Sequence, residues 1–208
     1  MIRVALLGFA PFEVAGGRRA GRPITDGGPV AAAFGRVSAS GFALPGAELR
    51  LALAPLAWFA GDQGAVEAAA AADAVVLVDP VRTGAAFTVA AGAVNQADPR
   101  LIDAAGDRWP GETLAPGGPA HIDGGLDPAV FTRALAFAGL QAGIAAISDA
   151  GFANRCFYTL TRRSVLVGRL QIGPACAPAD VDAALRAAAL FAGASAQLRA
   201  SHQSVRIS

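Results

Sequence analysis

The chain of 208 residues contains no lysine; all 17 of its basic residues are arginine. That removes a lysine Schiff base and the lysine of a P-loop from the chemistry open to it. Cysteine is almost as scarce. Cys156 and Cys176 are too few for a secreted-type disulfide framework and read as reduced thiols of a cytoplasmic protein. Histidine is limited to His121 and His202, so a catalytic imidazole has two candidates. Charge is sparse and balanced at 17 basic against 16 acidic residues, net +1, with no basic run or stripe. This excludes the electrostatic footprint of nucleic-acid or anionic-membrane binding. No stretch reaches the roughly 20 apolar residues of a membrane span, because Glu67 and Asp73 interrupt the most apolar region. The opening Met1 to Phe9 is apolar but short, and Pro11 and Glu13 follow at once, so it reads as a first buried strand and not as a secretion signal.

What is present is apolar residue in quantity. At 54% hydrophobic content the chain can bury one substantial core, and with no internal repeat or low-complexity linker it reads as a single domain over 1–208. Apolar runs at Val4–Leu7, Leu49–Leu53, Val75–Val78, Ile144–Ile147 and Val165–Ile172 predict buried strands, the last carrying Arg169 and Gln171. Between them, alanine-rich segments at Pro29–Ala39, Gln63–Ala72, Pro128–Leu140 and Pro178 to about Leu198 predict helices. The alternation predicts an α/β fold with helices layered on a mostly parallel twisted sheet. Ligands of such folds sit beyond the carboxyl ends of the strands. Two long loops, Glu13–Gly28 and Asp98–Asp127, are candidates for function.

Cys156 carries the chemistry. It sits in Ser148-Asp149-Ala150-Gly151-Phe152-Ala153-Asn154-Arg155-Cys156-Phe157-Tyr158, where an apolar run turns into a helix. A helix N-terminus and an adjacent arginine both favour a thiolate. A thiol hydrolase also needs a base within hydrogen-bond reach. His121, with Asp123 close enough to orient it, is the candidate; His202 reads as solvated, and Cys176 as a small inert hydrophobe.

Several ordered motifs point to a family. Gly8-Phe9-Ala10-Pro11-Phe12 resembles an opening G-F-x-P-F. Ala93-Val94-Asn95 followed by Asp98, Arg100, Asp103 and Gly106 matches A-V-N-x-x-D-x-R-x-x-D-x-x-G without a gap. Pro116-Gly117-Gly118-Pro119 with Leu126, and Ile147-Ser148 at its distance from Cys156, complete the set. Together these resemble type I pyroglutamyl peptidase (pyrrolidone carboxyl peptidase), a family of cytoplasmic cysteine peptidases that remove N-terminal pyroglutamate. The resemblance implies the family's three-layer α/β/α fold, no cofactor or metal, and a homo-oligomer, commonly a tetramer, formed through sheet edges and loops. It also implies that Cys156 stands at the nucleophile position and that Phe9 and Phe12 are walls for the lactam ring.

The departures from the family fall at the reacting positions. The catalytic glutamate's place counts to Ala90, and no carboxylate occurs between Asp79 and Asp98. The catalytic histidine's place, two residues before a proline, counts to Ile172, with Gln171 beside it. Asn154 and Arg155 stand where the family lines its lactam pocket with aromatic and apolar residues, and Asp79-Pro80-Val81-Arg82 replaces a glycine-containing turn. Three functions remain open at this level: a catalytically impaired relative, an active cysteine hydrolase using Cys156 with His121, and a binder of a small anionic ligand or peptide through Arg155, Arg82 and Asn154.

Overall fold

The computed structural model describes residues 1–10, 12–14, 21–23, 28–55, 57–69, 71–81, 84–103, 106–146, 151–163 and 165–205. The chain runs β1 (Ile2–Ala10), β2 (Phe12–Val14), β3 (Gly21–Pro23), α1 (Gly28–Ala39), β4 (Ala47–Pro55), α2 (Ala60–Ala69), β5 (Ala74–Pro80), β6 (Phe87–Ala90), β7 (Gly92–Val94), β8 (His121–Asp123), α3 (Pro128–Phe137), β9 (Ala142–Ala145), α4 (Phe152–Thr161), β10 (Leu166–Ile172) and α5 (Pro178–Val205). Six strands form one sheet in the order β4-β1-β5-β10-β6-β9, and β2-β3 and β7-β8 are separate two-stranded ribbons. β4, β1, β5 and β10 are mutually parallel; β6 runs antiparallel to β10, and β9 follows β6.

The centre of the sheet explains itself chemically. Val75 to Val78 of β5 are wholly buried, as a strand covered on both faces requires. Pro80 closes the strand. Side chains alternate across the sheet, so Val4 and Leu6 of β1 join a core with α1, α3 and α5, while Ala5, Leu7 and Phe9 join another with α2 and α4. The result is three layers, α/β/α. Gly8 permits the close approach of α1: a Cβ there would meet Val30 Cγ1 at 2.6 Å and Leu53 Cδ2 at 2.9 Å. Asp127 caps α3 by accepting from the Ala129 and Val130 amides at 2.8 and 3.2 Å, with Pro128 at its first position.

Sequence patterning misses β2, β3, β6, β7 and β8. Each is three or four residues long, too short for a period-2 pattern to stand out. It also stops α5 near Leu198, whereas the helix continues to Val205. The described residues of the 98–127 loop are irregular apart from β8 and two bridges, Ile102 with Arg108 and Gly125 with Val167. Most of 13–28, with Arg82 and residues 147–150, lies outside the described residues, as does the Phe12 side chain. No described helix is long and apolar enough to cross a membrane.

Candidate active site around Cys156

The placement of Cys156 follows from the start of α4. Gly151 occupies the N-cap in an extended conformation, with no side-chain cap, and the helix begins at Phe152. Cys156 is therefore the fifth helical residue, past the first turn in which the helix dipole acts strongly. The expectation of a thiol at the helix N-terminus is corrected accordingly. Ala153, Cys156, Phe157 and Leu160 fall on one side of the helix at i, i+3, i+4 and i+7 and are all buried against the sheet, Cys156 at 1% exposure.

The same cluster contains Phe9, Ala90 and Ala93, so the structure brings Cys156 together with Phe9 and with the position expected from the resemblance to hold a glutamate. Ile172 lies elsewhere. It packs with Phe87, Val89 and Leu170 in the core of α1, α3 and α5, on the opposite face of the sheet. By strand alternation Gln171, half-buried, shares the Cys156 face with Val167 and Arg169.

Between β10 and β5 the sheet holds a buried ion pair. Arg169 Nε and Nη2 donate to Asp79 Oδ1 and Oδ2, each at 2.7 Å, a bidentate pair joining β10 to β5. The side chains are 1% and 8% exposed. The antiparallel register sets Arg169 directly opposite Ala90. Asp79 thus supplies the carboxylate for a guanidinium that stands beside the methyl group of Ala90.

Asn154 and Arg155, expected in a substrate wall, are both engaged with other groups of the protein. Asn154 is fully buried; its Oδ1 accepts from the Val94 amide at 2.9 Å, and its Nδ2 donates to the carbonyls of Val94 and Gln96 at 2.9 and 3.1 Å. With its amide committed to these partners, it ties α4 to β7 and has nothing to offer a ligand. The Arg155 guanidinium lies over the Trp109 ring at 4.0 Å and the Phe59 ring at 5.3 Å. Trp109 meets Phe59 and Trp58 at 5.5 and 5.9 Å, and Trp58 meets Phe152 at 4.5 Å. Four rings and a cation cover the first turn of α4. Sequence reasoning overlooked this group, although both tryptophans of the chain stand in it.

His121 pairs with Val94 across the β7–β8 ribbon. Its neighbour Ile122 packs toward the Cys156 cluster, so alternation turns His121 and Asp123 to the other side of the ribbon. The His121 side chain is 41% exposed, with Nδ1 3.8 Å from Asp123 Oδ1. His202, in the last turn of α5, is exposed. Cys176 donates to the Ala86 carbonyl at 2.9 Å, and burial pushes its thiol pKa up. Among the described residues no group of three His, Cys, Asp or Glu could hold a metal ion.

The motif residues of 93–119 prove to be scaffold. Asn95 Nδ2 donates to the Ala115 and Gly118 carbonyls, and its Oδ1 accepts from the Ala115 amide. Asp103, 1% exposed, accepts from the Trp58 and Asp107 amides. Tyr158 Oη donates to the Pro119 carbonyl at 2.9 Å. Gly117 has φ +70°, and a Cβ on Gly118 would strike Tyr158 Oη at 2.5 Å, which accounts for the glycine pair of Pro116-Gly117-Gly118-Pro119.

Solved structures with this architecture share a name. Pyroglutamyl peptidase I of Bacillus amyloliquefaciens is 22% identical, with a TM-score of 0.77 over 93% of this chain and 98% of that one. Pyrrolidone carboxyl peptidase from Thermus thermophilus is 21% identical, TM-score 0.74, over 90% and 99%. That from Thermococcus litoralis is 17% identical, TM-score 0.76, over 92% and 93%. The fold is that of the pyroglutamyl peptidases. No protein-family model matches the sequence, and no curated protein matches it. The pyroglutamyl-peptidase-like fold is therefore held at low identity, and the reaction has to be argued from the residues around Cys156.

Proposed function

We propose that this chain keeps a pyroglutamyl-peptidase-like fold in which Cys156 is a packing residue, and that the protein acts by binding and not by peptide cleavage. The observation that carries this reading is the bidentate Asp79–Arg169 pair, whose arginine the sheet register sets opposite Ala90. Nucleophilic catalysis by a thiol needs a base in hydrogen-bond reach and a path for the substrate carbonyl. Here the thiol sits at 1% exposure in an apolar cluster, and the Asp79 carboxylate and the Arg169 guanidinium are held in a bidentate pair. An active hydrolase with His121 as base would need that imidazole to cross to the other side of the β7–β8 ribbon.

Hydrolysis of a chromogenic pyroglutamyl amide is the test, with Cys156→Ala as control. The expected result is no difference between the two proteins. Alkylation by iodoacetamide in a Cys176→Ser background should be slow in the native protein and fast only after unfolding. Turnover abolished by Cys156→Ala would overturn the reading, and its loss in His121→Ala would then assign the base.

Assembly follows the same resemblance. β9 is the edge strand, Ile144 is 51% and Phe137 94% exposed, and the unpaired side of such a strand suits a second copy of this chain. Ile144→Lys should shift the sedimentation coefficient toward that of a monomer; an unchanged value would remove β9 from the interface. The two free cysteines and the resemblance support a cytoplasmic location.

A further inference from the structure

The outer side of α4 carries a different chemistry. Arg155, Tyr158, Thr159 and Arg162 follow one another at i, i+3, i+4 and i+7, the spacing of one helix face, opposite the stripe that buries Cys156. With Arg163, Leu114 and Ala115 they line a cavity of about 310 Å³. Three of these seven lining residues are arginine and none is acidic.

Both walls are anchored. Ala115 exchanges hydrogen bonds with the buried Asn95, its amide donating to Oδ1 and its carbonyl accepting from Nδ2, each at 2.8 Å. Tyr158 is buried, its hydroxyl bonded to Pro119. The cavity is thus a fixed concavity between a helix and a braced loop. Two surface arginines are matched with acids, Arg36 with Asp182 and Arg100 with Asp98. Among the described residues the exposed side chains of Arg162 and Arg163 make no such ion pair. Cations at a helix C-terminus are favoured by the dipole, which accounts for Arg162 and Arg163 on their own. It does not account for the concave wall supplied by Leu114 and Ala115.

We propose that this cavity binds a small polyanion, an organic phosphate or a tricarboxylate, through Arg162 and Arg163. Guanidinium groups present planar forks that fit such oxyanions bidentately. Binding here goes beyond the reading of the Cys156 centre and does not depend on it, since the two occupy opposite sides of α4.

Isothermal titration with pyrophosphate and with citrate, at low and at physiological salt, tests the site. Wild type should bind at least one of them saturably at both salt concentrations, and which one binds identifies phosphate or carboxylate chemistry. Arg162→Ala and Arg163→Ala, both at exposed positions, should keep the ligand-free melting temperature and weaken binding by about tenfold or more each. Arg133→Ala, exposed on α3, should leave binding unchanged. Absence of saturable binding for both anions, or equal weakening by Arg133→Ala, would overturn the proposal.

Discussion

The segment 93–119 and the cluster around Cys156 touch each other through Asn154 and Tyr158, yet they have kept different things. In the first, Asn95 and Asp103 are buried hydrogen-bond hubs, each serving two or more backbone groups of a loop that has almost no secondary structure of its own. In the second, the positions where the resemblance would put proton-transfer side chains are Ala90 and Ile172, and a buried Asp79–Arg169 pair joins the neighbouring strands. The difference is physical. A loop without ladders must satisfy its buried backbone through particular side chains, and removing one leaves several polar groups stranded. A proton-transfer residue leaves no stranded partner when it is replaced by an alanine in an apolar cluster. A motif can therefore look functional while its residues serve the fold.

The sharpest way to break this contrast is to open the ion pair. Arg169→Met should destabilise by about 3–5 kcal/mol, because Asp79 would remain buried beside an apolar side chain. Asp79→Leu combined with Arg169→Met should recover most of that loss, since two apolar groups of similar volume leave no buried charge. Chemical denaturation of both proteins checks this. A double variant as unstable as the single one would mean that the pair orders the sheet in some further way.

Asn95→Ala attacks the other region and should cost about 2–3 kcal/mol, from the stranded Ala115 amide and two carbonyls. Hydrogen exchange should rise first at Ala115 and Gly118 while β5 stays protected. Uniform loss of protection would contradict the separation between scaffold loop and core.

The two regions were also unequally legible in the sequence. The long parallel strands and the helices α1, α3 and α5 could be read because burial on both faces yields apolar runs and helical faces yield periodicity. Asn95, Asp103 and the glycines of 116–119 were legible as a motif but not as scaffold, because hydrogen bonds to a distant backbone leave no periodic trace. Arg169 stood out as a charge inside an apolar strand, and a buried charge calls for a partner. Its pairing with Asp79 depends on β5 and β10 being neighbours, which local pattern does not encode. Trp58, Phe59, Trp109 and Phe152 come from three separate segments and meet only in space.

Cys156→Ala sharpens the contrast at a smaller scale. As a packing residue, the thiol should be worth about 1 kcal/mol, the cost of a small void in an apolar cluster. Cys156→Ser should be worse than alanine, because it brings a hydroxyl into that cluster. Thermal denaturation that found serine equal to wild type would point instead to a polar surrounding for this side chain, and so toward retained chemistry.

The smallest effect separates the motif from within. Asp98 and Arg100 belong to the same matched run as Asn95 and Asp103, but they only close a local turn. Arg100 donates from Nε to Asp98 Oδ1 at 2.9 Å and from Nη2 to Oδ2 at 2.8 Å, and its backbone amide donates to Oδ1 at 2.9 Å. The Arg100 side chain, and after it the amide, hold the Asp98 carboxyl at about 2. Because its folded value lies below its ordinary one, this contact contributes stability above the usual carboxylate range and loses it as pH falls through about 2. In an NMR titration, Arg100→Ala should move the Asp98 midpoint up toward the ordinary value, with little change in melting temperature at neutral pH because the pair is at the surface. A large fall in melting temperature would mean that the turn braces the whole loop, and Asp98 would then rank with Asn95 as scaffold.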